Sequence, residues 1–321
     1  LLSPLSLLFY LLVTLRTLAY RLGLRSSMRL PVPVIVVGNL TAGGAGKTPL
    51  TLKLVDWLQA AGYRPGIVSR GYGGQARQPM PVLPDSDPAL VGDEPVLLAR
   101  RAGCPVWIGR KRAEAGARLL AFHPDVDVLV ADDGLQHYAL ARDLEVAVVD
   151  GQRGFGNGWL LPAGPLREPL YRLNRVAAVV MNGEARADLG LLPPIYDMHL
   201  VGRVFRNLLD PSRTALASEL AEVPIHAIAG IGHPRRFFDH LASLGLKCNN
   251  HPFPDHHTFR VEDLPAGRLV MTEKDAVKII HLAQELGLQD CWFLAVDAEM
   301  GTGLKELILS RLNKRHGPQT T

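Results

Sequence analysis

The stretch VIVVGNLTAGGAGKTPL, residues 34–50, is an apolar run that breaks into a glycine-rich turn ending in Gly46-Lys47-Thr48. The strict phosphate-loop pattern asks for Gly, four residues, then Gly-Lys-Ser/Thr. Its first position falls on Thr41. That position mainly shapes entry into the loop, so the departure is tolerable. Gly43, Gly44 and Gly46 let the backbone come close to a phosphate. Thr41, Ala42, Gly43, Gly44, Ala45, Gly46, Lys47, Thr48 and Pro49 are therefore read as the cradle for a nucleotide's phosphates. Lys47 offers an ammonium to the outer oxygens and Thr48 a hydroxyl to Mg²⁺. A fortuitous glycine turn is the alternative, but strand, loop, Gly-Lys-Thr and amphipathic helix all stand in order.

That helix is KTPLTLKLVDWLQAAG (47–62), where Leu50, Leu54 and Leu58 recur every four residues and Gly62 supplies a stop. Apolar runs at 33–38, 66–69, 105–109, 126–132, 144–150 and 176–182 read as strands. Continuous apolar strands separated by helices predict a parallel sheet covered on both faces. A second series follows, with strands at 224–231, 268–273 and 291–296 and helices at 234–245, 274–287 and 303–315. The expected fold is α/β: two three-layer α/β/α lobes, the N-terminal one of P-loop NTPase type. Its parts are an N-terminal helix in 1–30, a phosphate-loop lobe at 31–194, a strand-pair linker at 195–212 and a smaller lobe at 213–321.

Composition excludes several classes. Of 321 residues, 47% are hydrophobic and 21% charged, and the net charge is only +4. No basic stripe with interleaved aromatics appears, so nucleic acid is a poor partner. Cys104, Cys248 and Cys291 are far apart, which suits a reducing compartment. The segment LLSPLSLLFYLLVTL (1–15) carries no charge, and Arg16, Arg21, Arg25 and Arg29 follow. Fifteen helical residues span only about 22 Å, short of a roughly 30 Å hydrocarbon core. Continued helically, the segment would put Arg21, Arg25 and Arg29 on one side, facing anionic headgroups. Membrane-surface association is preferred over a signal peptide or a core helix.

A nucleotide site also needs a carboxylate at the end of a neighbouring strand to hold the metal. VDVLVADDGLQH (126–137) runs straight into Asp132 and Asp133, with Gln136 and His137 at the same crevice beyond the strand ends. On the acceptor side, SRGYGG (69–74) carries Arg70 and Tyr72, and LLPAGPLRE (160–168) carries Arg167 and Glu168. GDEP (92–95) sets Asp93 and Glu94 at a helix start, where a cap and a dipole-favoured carboxylate suffice as explanation. HPFPDHHTF (251–259) packs Asp255, His256 and His257 together. A histidine pair in a loop is more often solvated surface than ligand or base.

Taken together, VGNLTAGGAGKTP, SRGYGG, GDEP, DDGLQH, PAGPLRE, FPDHH and MTEKDAVK (271–278) resemble the tetraacyldisaccharide 4′-kinase family, the lipid A 4′-kinases of Gram-negative bacteria. The resemblance runs through nearly the whole chain. It implies an ATP- and Mg²⁺-dependent kinase at the cytoplasmic face of the inner membrane, acting on a tetraacylated glucosamine disaccharide 1-phosphate. By the same resemblance Lys47 and Thr48 serve phosphate and metal, and Asp132 and Asp133, with Glu94, the metal. Asp93 and His256 match a base dyad, Arg167 adds positive charge, and Arg70, Tyr72, Gln136, His137 and Glu168 surround the acceptor. The dyad would join two lobes, so an open form could hold its members apart. A monomer is expected. A membrane-associated switch ATPase is the rival from another class, but LTAGGA (40–45) lacks the early lysine such loops carry. A soluble small-molecule kinase is the third reading.

Overall fold

The computed structural model describes residues 2–184 and 193–316. Leu1, residues 185–192 at the expected lobe boundary, and residues 317–321 lie outside the described part.

The β-branched run Val34–Gly38 forms a fully buried strand at the middle of a nine-stranded sheet. Its neighbours are Val128–Ala131 and Leu144–Asp150, both parallel, with Val36 opposite Ala131 and Val37 opposite Val146. Pro65–Ser69 and Val106–Ile108 extend the sheet on one side, Ala178–Asn182 and Ile195–Val201 on the other, all parallel. Antiparallel strands Met80–Val82 and Asp297–Met300 close the two edges. Such strands must be apolar on both faces. Leu50, Leu54, Leu58 and Val96 fill one face, and Leu119, Leu135, Leu166 and Leu173 the other. This places the carboxyl ends of the parallel strands along one side of the sheet, where loops carry the polar motifs.

The second sheet runs Thr214–Leu216, Val204–Asn207, Cys291–Leu294, Arg268–Thr272, Ile225–Ala229, Cys248–Pro252. Its helices Pro234–Ser243 and Glu273–Leu286 pack on opposite faces.

The strand-pair linker expected at 195–212 is not a pair. Ile195–Val201 belongs to the first sheet and Val204–Asn207 to the second. The C-terminal boundary moves as well. Asp297–Met300 returns to pair with Ile195–Val201, and helix Gly303–His316 lays Leu304, Ile308 and Leu312 against the leucines of the phosphate-loop helix. An exposed sheet edge and an apolar helix stripe both need cover, and the chain's end supplies it to the first lobe rather than the second.

The N-terminal helix is Ser3–Arg21, and the chain turns away at Gly23, φ +70°. Arg25 and Arg29 therefore lie beyond it, and the three-arginine face expected from a continuous helix does not form. Arg29 pairs instead with Asp143 at 3.1 Å.

Candidate active site

At the end of the central strand the chain turns through Gly46, whose φ of +94° a residue with a side chain would resist. Lys47 then opens helix Lys47–Ala60. Thr41 is buried and makes an antiparallel bridge to Leu166, and Ala42 N donates to Pro165 O at 2.8 Å, so the loop leans on the segment before Arg167. Ala45 O accepts from Asn182 Nδ2 at 3.1 Å. Asn39 stitches the loop from within. Its Nδ2 donates to Gly43 O at 3.1 Å and its Oδ1 accepts from Lys47 Nζ at 3.3 Å. Gly44, Thr48 and Pro49 occupy the curve and the first helical turn.

The two carboxylates after strand Val128–Ala131 have different surroundings. Asp132 is fully buried; its Oδ1 accepts from Thr51 Oγ1 at 3.0 Å, and its Oδ2 has no hydrogen-bond partner. Burial, then the nearby charges of Glu94 and Asp133, push its acid up to about 7. Asp133 takes a left-handed backbone, φ +48°, that turns its carboxylate to Lys47 at 3.5 Å and to Arg167 Nη1, 3.3 Å from both oxygens. Burial raises its acid, but Lys47, Arg167 and Arg112 together hold it below the ordinary value. The acidic pair is thus split: one carboxylate is neutralised by protein cations, the other is short of positive charge.

Asp93 begins helix Asp93–Arg101 and is buried. His256, from the second lobe, donates Nδ1–H to its two oxygens at 3.0 and 3.2 Å. The two side chains are therefore already in contact, with no separation of the lobes. Lys274 lies 3.8 Å from Asp93 and 3.2 Å from both Glu94 and Asp255. Burial pushes the Asp93 carboxyl up, yet the His256 hydrogen bond and the Lys274 charge outweigh it and keep it low. The same bond raises His256. The Tyr72 ring packs 5.1 Å from the imidazole.

Some other residues expected near the acceptor are turned into the protein. Glu168 is 1% exposed; it accepts from Tyr138 OH at 2.6 Å and from Gln136 Nε2 at 3.5 Å, so it supports the wall rather than facing a ligand. Gln136 also donates to Asn39 O at 3.0 Å. His137 Nε2 accepts from Arg112 N at 3.2 Å, and burial plus surrounding arginines push the imidazole down to about 4, so it is neutral. Arg70 is exposed at the end of its strand. Glu94, expected among metal ligands, is held by Lys274.

The whole-chain pattern has close relatives. Residues 1–313 match the tetraacyldisaccharide-1-P 4′-kinase family. The chain belongs to that family. The tetraacyldisaccharide 4′-kinase of Azoarcus sp. (strain BH72) is 53% identical over 99% of this chain and 92% of its own length. That of Chromobacterium violaceum is 51% identical over 99% and 95%. A solved structure of the Aquifex aeolicus member, described as in complex with ATP, superposes with a TM-score of 0.82 at 28% identity, covering 97% of this chain and 98% of that one.

Asn39, Thr51, Asn182 and Lys274, to which the sequence alone assigns no role, also hold the site together. One left a signal. Lys274 stands in the first turn of helix Glu273–Leu286, where a cation opposes the helix dipole. Such a placement asks for carboxylates from elsewhere, and the first lobe provides them. The site also fits a divalent cation. No group of three or more His, Cys, Asp or Glu side chains suited to a metal occurs among the described residues. Asp132 Oδ2, buried and unpartnered in an acidic field, is nonetheless a site that a cation would complete.

Proposed function

We propose that this chain transfers the γ-phosphoryl group of ATP to the 4′-hydroxyl of a tetraacyldisaccharide 1-phosphate, at the cytoplasmic face of the inner membrane. The observation that carries the reading is the Asp93–His256 bond, made across two lobes. Asp93 is linked through Lys274 and Glu94 to the charges around Asp132 and the phosphate loop. A switch ATPase has no use for a carboxylate built in this way on the acceptor side.

Phosphoryl transfer leaves the protein mainly positioning and charge neutralisation. Lys47 meets the outer phosphates. Asp93, kept ionised by His256 and Lys274, aligns the sugar hydroxyl and takes its proton as the oxygen bonds to phosphorus. His256 orients that carboxylate through Nδ1. Asp132, with Thr48, would hold Mg²⁺, and Asp133 would stay with Lys47 and Arg167. Held there, the ion would supply positive charge against the transferring phosphate. Both dyad members come from one chain, which supports a monomer.

The membrane assignment rests on helix Ser3–Arg21. Leu5, Leu7, Leu8, Leu11, Leu12 and Leu15 are each more than half exposed. Ser6 is buried instead, donating to Leu160 O at 2.7 Å, and so fastens the helix to the catalytic lobe. Its length and composition would also allow a span. The deciding experiment incubates purified protein with ATP, Mg²⁺ and the lipid disaccharide monophosphate. The lipid should gain the mass of one phosphoryl group; ATP hydrolysis with unchanged lipid refutes the proposal.

A further inference from the structure

Strand Leu144–Asp150 ends beside the phosphate-loop strand, and a glycine-rich turn, GQRGFGNG (151–158), follows it. Asp150 is buried and ties this turn back on itself. Its Oδ1 accepts from the backbone N–H groups of Gln152 and Arg153, both at 3.1 Å. The second lobe grips the same carboxylate. Arg236, from helix Pro234–Ser243, donates to both Asp150 oxygens at 2.6 and 2.8 Å, and to Gln152 Oε1 at 3.0 Å. The backbone of Arg153 is thus held from both lobes.

The Arg153 side chain reaches the phosphate loop at Ala42 and Gly43. Nη1 donates to Ala42 O at 3.3 Å and to His233 Nε2 at 3.1 Å. A Cβ at Gly43, where φ is +99°, would meet Nη1 at 2.8 Å, so the missing side chain is what gives the guanidinium its place. Gly43 is at the lysine's end of the cradle, because Asn39 holds both Gly43 O and Lys47 Nζ. That lysine serves the β- and γ-phosphates.

The cations around the loop differ in their partners. Lys47 and Arg167 both face Asp133. Among the described residues, Arg153 has only a carbonyl and an imidazole, neither of which cancels its charge.

We infer that Arg153 is a catalytic residue of the kinase reaction, an arginine supplied in cis to the terminal phosphates of ATP and set in place by His233 and Arg236 of the other lobe. The inference rests on the proposed kinase reading. As the 4′-oxygen bonds to the γ-phosphorus, the bond from that phosphorus to the β–γ bridging oxygen breaks. The electron pair leaves with ADP and the hydroxyl proton passes to Asp93. Arg153 exchanges no proton; its fork stabilises the negative charge shared by the bridging and γ-oxygens, for which a planar guanidinium is suited. His233 and Arg236 are positioning residues. Lobe contact then sets two groups at once, the acceptor dyad and this arginine.

The test compares full-length wild type with Arg153→Ala and Arg153→Lys in lipid phosphorylation, with ATP affinity measured separately using a fluorescent ATP analogue. Arg153 is exposed, so both variants should keep the wild-type unfolding midpoint. Arg153→Ala should lower kcat by about 10²-fold or more, with ATP affinity changed only a few-fold. Arg153→Lys should recover little of this, and added guanidinium should restore part of the alanine variant's rate without accelerating wild type. Arg236→Ala should lower kcat too, and combining it with Arg153→Ala should cost little beyond Arg153→Ala alone. A near-normal kcat in Arg153→Ala, or a loss confined to ATP affinity or unfolding midpoint, overturns the inference and leaves the kinase reading intact. Failure of wild type itself to phosphorylate the lipid overturns both.

Discussion

Asp93→Asn should remove the acceptor base while sparing the fold, and the surroundings of Lys274 explain why. That lysine keeps Glu94 and Asp255, each at 3.2 Å, so losing the Asp93 charge strands no buried cation. The amide fills the same volume but cannot take a proton. A positioned base is worth about 10²- to 10⁴-fold, or about 3–5 kcal/mol of transition-state stabilisation. His256→Ala should cost a similar order through the same carboxylate, and the double variant should be little worse than the poorer single one. The pH profiles differ in a defined direction. His256 and Lys274 hold Asp93 below its ordinary 3.8 against burial, so wild type should keep its base ionised well into acid. In His256→Ala the burial effect meets less opposition, the Asp93 acid rises, and activity should fade at a higher pH on acidification. The bond has a stability window as well. The contribution of Asp93, held low, is present above about 3.8 and lost as pH falls through its folded value. That of His256, held high, is complete below 6.5 and lost as pH rises through its folded value. The assay is single-turnover transfer followed by lipid mass across pH, with ATP binding measured alongside. Fully multiplicative losses in the double variant, or a loss below about threefold in Asp93→Asn, refute the dyad.

Lys47→Met should depress transfer by about 10²-fold or more while the protein stays folded, since its ammonium meets developing charge; near-normal turnover refutes the loop assignment. Asp132 should give a distinctive signature, because its acid lies near 7 rather than 3.8. Without metal, wild-type stability should fall as pH rises from about 4 to 7, since the folded state binds the extra proton. Asp132→Asn should lack that slope and also lose the greater stabilisation by Mg²⁺ at pH 8 than at pH 6. Calorimetry checks both, and an unchanged Mg²⁺ effect would move the cation elsewhere. Replacing Leu8, Leu11 and Leu12 by serine should release the protein from anionic vesicles in sedimentation, because each inserted leucine contributes roughly 1.5–3 kcal/mol. Persistent binding after the triple change would rule out this helix as the anchor.

Local chemistry made much of this chain readable from its residues. Val34–Gly38 had to be a buried strand because it is β-branched and apolar on both faces, and Gly46-Lys47-Thr48 had to follow as a loop and helix start. Asp132 and Asp133 were legible as strand-end carboxylates for the same reason: a strand that stops being apolar has left the core. Their division of labour was not legible, since Asp133 turns to Lys47 and Arg167 only through a left-handed backbone at a long-range contact. The same limit explains the misplaced linker and second-lobe boundary, because which sheet edge Asp297–Met300 covers depends on partners far away in the chain. It also explains the positions left without a role. Asn39, Asn182 and Lys274 are ordinary polar residues until their partners arrive. The periodicities, the phosphate loop and the family are written in the order of the residues. Which carboxylate each cation neutralises is settled by folding, because the energy of a buried charge depends on neighbours brought within a few ångströms.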